Sequence, residues 1–390
     1  MRALVTGIGV LSPVGIGVDE HWASVLEGRC GITELDRWDA SGYPAGRAGL
    51  VSGFDPAEHV SPRLMPQTDH MTRMTLAAVD EALQDAGRIG TRPEYAMSVA
   101  TAASAGGYEF GQRELGKLWS QGPGHVSAYQ SFAWFYAVNT GQISIRHGMR
   151  GPSGVVVADD AGGLDVLAQA RRHLRRGSTL VVTGAVDSNV CPWGWVAHLA
   201  GGRVSGERYR PFDADADGSI PAEGGAILVI EPDGEVDGTQ VYGCIAGHAA
   251  TFEGASEAPG SALGRAAEAA LKDAGLGPSD VDLVLPDAAG VPALDQAERD
   301  ALVGLFGRRG VPVAVPKTAT GRVSAGTGPL DVVHALLALR DGVVPPATGL
   351  RQPPDDLDLV LDTPRPAALS TALVLARGRG GFHSAVVVTR

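Results

Sequence analysis

Val155-Val-Val-Ala-Asp-Asp-Ala-Gly-Gly-Leu-Asp165 reads as a strand that runs into a tight turn of short residues and then into a helix carrying Leu164, Val166, Leu167 and Ala170. This is the layout of a nucleophile elbow without a nucleophile. A strand-turn-helix junction exposes one side chain at a helix N-terminus, where the positive end of the helix dipole lowers a thiol pKa and stabilises an oxyanion. Here that side chain is Asp160, with Asp159 beside it. A carboxylate suits the dipole but is a poor acyl acceptor. On these residues alone, helix capping by the two aspartates is the simpler reading.

The pattern repeats along the chain. Strands are expected at Ala3–Val10, Met97–Thr101, Val155–Ala158, Thr179–Thr183 and Ala226–Ile230, with helices at Met71–Ala86 and Gly163–Arg175. A second series places strands at Val241–Ala246, Val281–Leu285, Val311–Val315, Thr371–Leu375 and Ser384–Val388, with helices at Ser261–Ala274, Gln296–Phe306 and Pro329–Leu339. Both series hold a helix ending in Asp-Ala-Gly, at Asp85-Ala-Gly87 and Asp273-Ala-Gly275. The repetition implies an internal duplication, joined near Pro232–Gln240, with halves at 1–236 and 237–390. Strands alternating with helices predict mostly parallel sheets covered on both faces, a layered α/β fold.

Composition narrows the function. The 390 residues, 44% of them hydrophobic, can bury a large core, and a net charge of −12 without a basic run argues against nucleic acid and anionic membranes as partners. No apolar run reaches the roughly 18–20 residues of a membrane span. The N-terminus reads as a strand rather than a cleavable signal, so residence is expected to be cytoplasmic. Cys30, Cys191 and Cys244 are widely spaced, without the pairing of a zinc site or disulfide framework. Gly7-Ile-Gly9 lacks the third glycine of a dinucleotide fingerprint, since position 12 is Ser12, and reads as a tight turn. Asp213-Ala-Asp-Ala-Asp-Gly218 imitates a calcium loop but has Gly224 where the bidentate glutamate is due. Arg171, Arg172, Arg175 and Arg176 read as a solvated helix end.

Four stretches together resemble the thiolase-fold β-ketoacyl synthases: Val157-Ala-Asp-Asp-Ala-Gly-Gly-Leu-Asp165, Arg210-Pro-Phe-Asp-Ala-Asp-Ala-Asp-Gly218, Asp287-Ala-Ala-Gly-Val-Pro292 and Pro316-Lys-Thr-Ala-Thr-Gly-Arg322. The resemblance implies a thiolase-like fold, two duplicated βαβ halves in an αβαβα arrangement. It also implies a catalytic cysteine and two histidines in condensing members. At those positions this chain carries Asp160, Asp287 and Arg322, while Lys317, Glu298 and Arg210-Pro-Phe-Asp213 remain. The pattern is similar to the chain length factors, the ketosynthase β subunits of bacterial type II aromatic polyketide synthases.

That resemblance implies a non-catalytic subunit that forms a heterodimer with a catalytic ketosynthase and shapes the tunnel for a malonyl-derived poly-β-ketone delivered by acyl carrier protein, with no bound cofactor or metal. An alternative is a malonyl-carrier-protein decarboxylase acting at Asp160. Relatives usually carry glutamine there, and an ionised aspartate would repel a developing enolate. Arg322 is expected to pair with Asp160 or Asp287, and Arg379 stands where condensing relatives have a gating phenylalanine. Phe132, Trp134, Phe135 and Tyr136, four aromatics within five positions, are expected at an interface or tunnel wall. Tyr108, Gly111, Leu115 and Leu118 form one helical stripe. The family resemblance makes the first three the tunnel end, with the bare Gly111 implying a deep floor.

Overall fold

The computed structural model describes residues 1–88, 90, 92–236, 238, 240–254 and 261–390. Asp237 and Thr239, within the expected join between halves, lie outside the described residues. The strands that matter here are β1 (Ala3–Ser12), β2 (Met97–Ala102), β3 (Ser153–Val156), β4 (Leu180–Asp187), β5 (Gly224–Pro232), β6 (Gly243–Phe252), β7 (Leu283–Leu285), β8 (Pro312–Val313), β9 (Asp358–Leu359), β10 (Thr371–Arg377) and β11 (Phe382–Thr389). The helices are α1 (His70–Asp85), α2 (Tyr108–Gln121), α3 (Gln130–Ala133), α4 (Val138–His147), α5 (Asp159–Arg175), α6 (Pro192–Ala200), α7 (Ser261–Ala274), α8 (Pro292–Phe306) and α9 (Thr327–Asp341).

These strands follow one hydrogen-bonded path, β9-β8-β7-β10-β11-β6-β1-β5-β4-β2-β3. Reading outward from the central β6–β1 pair, each side lays down its first five strands in the same order, with β9 added at one edge, so the duplication is visible as topology. Antiparallel pairs are more frequent than the sequence rhythm predicts. β1 pairs antiparallel with β5 and β6, β4 with β5, and β11 with both β10 and β6. Parallel pairing holds for β2 with β3 and β4, and for β7 with β8 and β10. The reason is that β5 and β11 enter against the direction of their neighbours and that β1 and β6, the first strands of the two series, run in opposite directions.

Side-chain alternation divides the core. In β5, Ala226, Leu228 and Ile230 join a central cluster with α5 and α9, whereas Ile227 and Val229 face α1. In β10, Ala372, Val374 and Ala376 face the same centre, and Leu373 and Leu375 face the side covered by α7. Outer helices, strands, the buried α5–α9 pair, strands and outer helices make five layers, the thiolase-like αβαβα arrangement.

Helix α9 is buried from Thr327 through Leu339, so it reads as apolar all round. It meets α5 closely: a Cβ at Gly328 would lie 3.1 Å from the Gly163 carbonyl carbon and from Leu164. Gly7 and Gly9 are not a turn. They sit inside β1, fully buried, where any Cβ would run into the Ala82 and Ala78 carbonyls of α1. Gly247 of β6 stands against the Ala270 carbonyl of α7 in the same way. The two halves thus repeat a glycine contact that seats an outer helix on its strand. Gly9→Ala is expected to lower stability by about 1–3 kcal/mol or more, because backbone rather than a flexible side chain must move. Urea unfolding measures it, and an unchanged midpoint would contradict the packing.

Candidate functional site

The elbow forms where β3 ends and α5 begins, four residues earlier than the apolar periodicity indicated. Ala158, at the helix entrance, makes no side-chain cap, so the capping reading of the aspartates is not what the structure shows. Asp159 has φ 52°, the left-handed conformation that a non-glycine residue adopts only under constraint. Asp160 follows it at the head of the helix.

Asp160, Asp287 and Arg322 come together as expected from the sequence. The Arg322 Nε donates to Asp160 Oδ2 at 3.0 Å, and its Nη2 donates to the same oxygen and to Asp287 Oδ1, the latter at 2.8 Å. Its Nη1 donates to the Asp287 carbonyl at 2.6 Å and to the Ala288 carbonyl at 3.3 Å. The guanidinium therefore uses its whole donor fork within the site. Burial pushes the Asp287 carboxyl up, but Arg322, then Arg377 and Lys317, outweigh this and hold it down at about 2. Its ion pairing thus adds stability above the usual carboxylate range that is lost as pH falls toward 2. The same two carboxylates raise the Arg322 pKa well above its ordinary value against the opposing effect of burial.

The surrounding scaffold fixes these groups. Glu298 accepts the Asp287 and Ala288 backbone N–H groups at 2.7 and 2.8 Å, and burial followed by the Asp287 charge pushes it up to about 7. Lys317 Nζ donates to the Pro286 carbonyl at 2.7 Å and pairs with buried Asp331 at 2.5 Å. Asp213 accepts the Arg351 and Gln352 N–H groups, so the calcium-like loop serves as a staple between chain segments. The gate loop leans on the elbow. Arg379 N donates to Asp159 Oδ2 at 3.0 Å, and its guanidinium covers Gly201. Burial and then the neighbouring Asp160 push Asp159 up to about 6.

A cavity of about 230 Å³ remains above the cluster, with Tyr108, His198, Arg203, Arg377 and Arg379 in its walls. Arg203, Arg377, His198 and Trp193 escaped the sequence reading. Only the position of Arg377 directly before the gate loop offered a signal. Tyr108 reaches the cavity, but Gly111, Leu115 and Leu118 do not line it. Helix α2 buries Phe110, Gly111 and Glu114 instead, and Leu115 and Leu118 are half-buried. The stripe is rotated because Glu114 turns inward to bond Lys117 Nζ and the Ser127 N–H, both at 2.8 Å. The space beside Gly111 is also filled: a Cβ there would lie 2.7 Å from the Trp134 ring and 3.0 Å from Trp193. The Arg cluster divides too. Arg171 is buried, bonding Asp273 at 2.6 Å and the Ala246 carbonyl at 2.9 Å, and only its neighbours form the solvated helix end.

Phe132, Trp134, Phe135 and Tyr136 are 36–45% exposed. Nearby, β3 pairs with β2 alone among the described strands, leaving its other edge open. No helix among the described residues is long and apolar enough to cross a membrane.

Models of the β-ketoacyl synthase N-terminal and C-terminal domains match residues 2–235 and 242–351, and the chain belongs to that family. Its curated relatives lie among the ketosynthase β subunits of type II polyketide synthases. The actinorhodin polyketide putative β-ketoacyl synthase 2 of Streptomyces coelicolor is 53% identical over 100% of this chain and 99% of its own length. The tetracenomycin polyketide synthase ketoacyl synthase β subunit of Streptomyces glaucescens is 53% identical over 99% and 98%. Among solved structures, a type II polyketide synthase acyl carrier protein in complex with its hexaketide-bound ketosynthase matches with TM-score 0.90 and 25% identity, covering 100% of this chain and 99% of that one. The ishigamide ketosynthase/chain length factor matches with TM-score 0.93 at 22% identity, over 100% and 98%.

Removing Arg322 alone leaves two carboxylates without their cation. Arg322→Met is expected to destabilise the chain by about 3–5 kcal/mol in chemical denaturation. A loss below about 1 kcal/mol would mean that the cluster is hydrated rather than buried.

Proposed function

We propose that this chain is the non-catalytic subunit of a ketosynthase heterodimer and that it helps set the length of a poly-β-ketone built by its partner. The observation that carries this reading is the filled triad. Where a condensing enzyme needs a cysteine and two neutral histidines, this chain has a carboxylate, a carboxylate and a guanidinium bonded to one another. None is an acyl acceptor, and the cation that could meet an oxyanion is already engaged. A decarboxylase acting through Asp160 has less support, since Arg322, the cation that would meet a developing enolate, is already bonded to Asp160 and Asp287.

Assembly is supported by the open β3 edge and the adjacent aromatic band. An exposed strand edge beside a large apolar patch favours pairing with a second sheet, and an obligate interface of this kind buries on the order of 2,000 Å² or more. The names of the relatives point the same way: one is a ketosynthase β subunit, and one solved neighbour includes a chain length factor. A catalytic ketosynthase would supply cysteine and histidines, and an acyl carrier protein would deliver malonyl units. Length control is assigned to the wall formed by Tyr108, Trp134 and Trp193. The Tyr108 and Trp193 rings meet edge to face at 4.9 Å, and the Trp134 and Trp193 rings stack at 6.3 Å.

Co-expression with the candidate ketosynthase tests the assignment. Elongation of malonyl-carrier protein is expected from the pair and not from this chain alone, and Phe132→Asp is expected to abolish co-purification. A well-folded chain that ignores the partner at micromolar concentration, or that condenses malonyl units by itself, would overturn the reading.

A further inference from the structure

The cavity above the filled triad is itself a built polar site. Its wall carries four arginines, Arg203, Arg322, Arg377 and Arg379, against three carboxylates, Asp159, Asp160 and Asp287. Arg322 is shared by Asp160 and Asp287, Arg377 faces Asp287 at 3.9 Å, and Arg379 faces Asp159 at 3.7 Å. Arg203 makes no ion pair and no side-chain hydrogen bond among the described residues, although it is only half-exposed. Burial and then the neighbouring Arg379 lower its pKa from the ordinary value, against the weaker opposing effects of Asp287 and Asp159.

Orphaned atoms converge on the same space. Arg377, 7% exposed, has Nη2 buried without a hydrogen-bond partner, and His198 Nε2, Asn189 Oδ1 and Asp287 Oδ2, the last facing Arg377 at 3.9 Å, are also unpartnered. Such atoms are costly to leave unsatisfied, and several around one cavity mark a polar occupant. Ser104, Ser219 and Ser324 add hydroxyl groups to the wall. Water could satisfy individual atoms, but it would leave four guanidiniums facing three carboxylates in the cavity wall.

The geometry points to this cavity as a binding site for a small monocarboxylate, held by the Arg203 guanidinium with support from Arg377 Nη2. No bond is made or broken there: the site holds the anion. This assignment does not depend on the heterodimer reading. A carboxylate matches the planar donor fork of an arginine, and about 230 Å³ suits a molecule of a few heavy atoms.

Calorimetric titration of the full-length chain with propionate, and with propionamide as its uncharged isostere, tests the site. Propionate is expected to bind saturably, propionamide not to compete, and Arg203→Gln to weaken propionate binding at least tenfold while the circular dichroism spectrum is kept. If the Gln variant fails to fold, Arg203→Lys serves instead, with a severalfold weakening expected from loss of the fork. Absence of saturable binding, equal binding of the amide, binding of inorganic phosphate as tight as that of propionate, or unchanged affinity in the folded Arg203 variant would overturn the proposal.

Discussion

A single guanidinium organises the site at the elbow. Arg322 takes up Asp160 from the elbow, the Asp287 side chain and the Asp287 and Ala288 carbonyls. Two carboxylates brought together at the elbow, largely removed from water, would otherwise repel one another and drive protonation. With the arginine between them both are pinned, and the Asp287 carboxyl is held low. Replacing one triad member alone would leave an unbalanced charge, so the three substitutions form one unit.

The scaffold around this unit is that of an active site. Glu298 holds the loop bearing Asp287 by two backbone N–H groups, Lys317 holds its carbonyls, and the strained Asp159 presents the elbow. These elements cost stability through buried charge and left-handed backbone. The duplicated sheet supports them from below, with glycines in β1 and β6 letting outer helices approach and with Gly163 and Gly328 letting α5 and α9 cross.

The sequence made much of this legible. Alternating strands and helices with a repeated Asp-Ala-Gly suggested a duplication, and the spacing of the motifs placed Asp160, Asp287 and Arg322 at one point. What failed did so for physical reasons. Gly7 and Gly9 read as a turn because glycine's local meaning is a turn, whereas the demand came from the carbonyls of a helix some 70 residues away. Of the Tyr108, Gly111, Leu115 and Leu118 stripe only Tyr108 reaches the cavity, because the face that α2 buries carries a charged residue, Glu114, beside Phe110 and Gly111. The mostly parallel sheet was misjudged because periodicity carries no strand direction. Arg203 and Arg377 carried no local signal: their significance arises only when distant loops close one cavity.

The most direct test of the central claim is intact-mass analysis of both subunits after the assembled pair is incubated with acyl-loaded carrier protein. Restricting covalent chemistry to the partner predicts an acyl mass increment on the partner alone, with this chain at its unmodified mass. An acyl adduct on this chain, mapped to the peptide containing Asp160, would contradict the account.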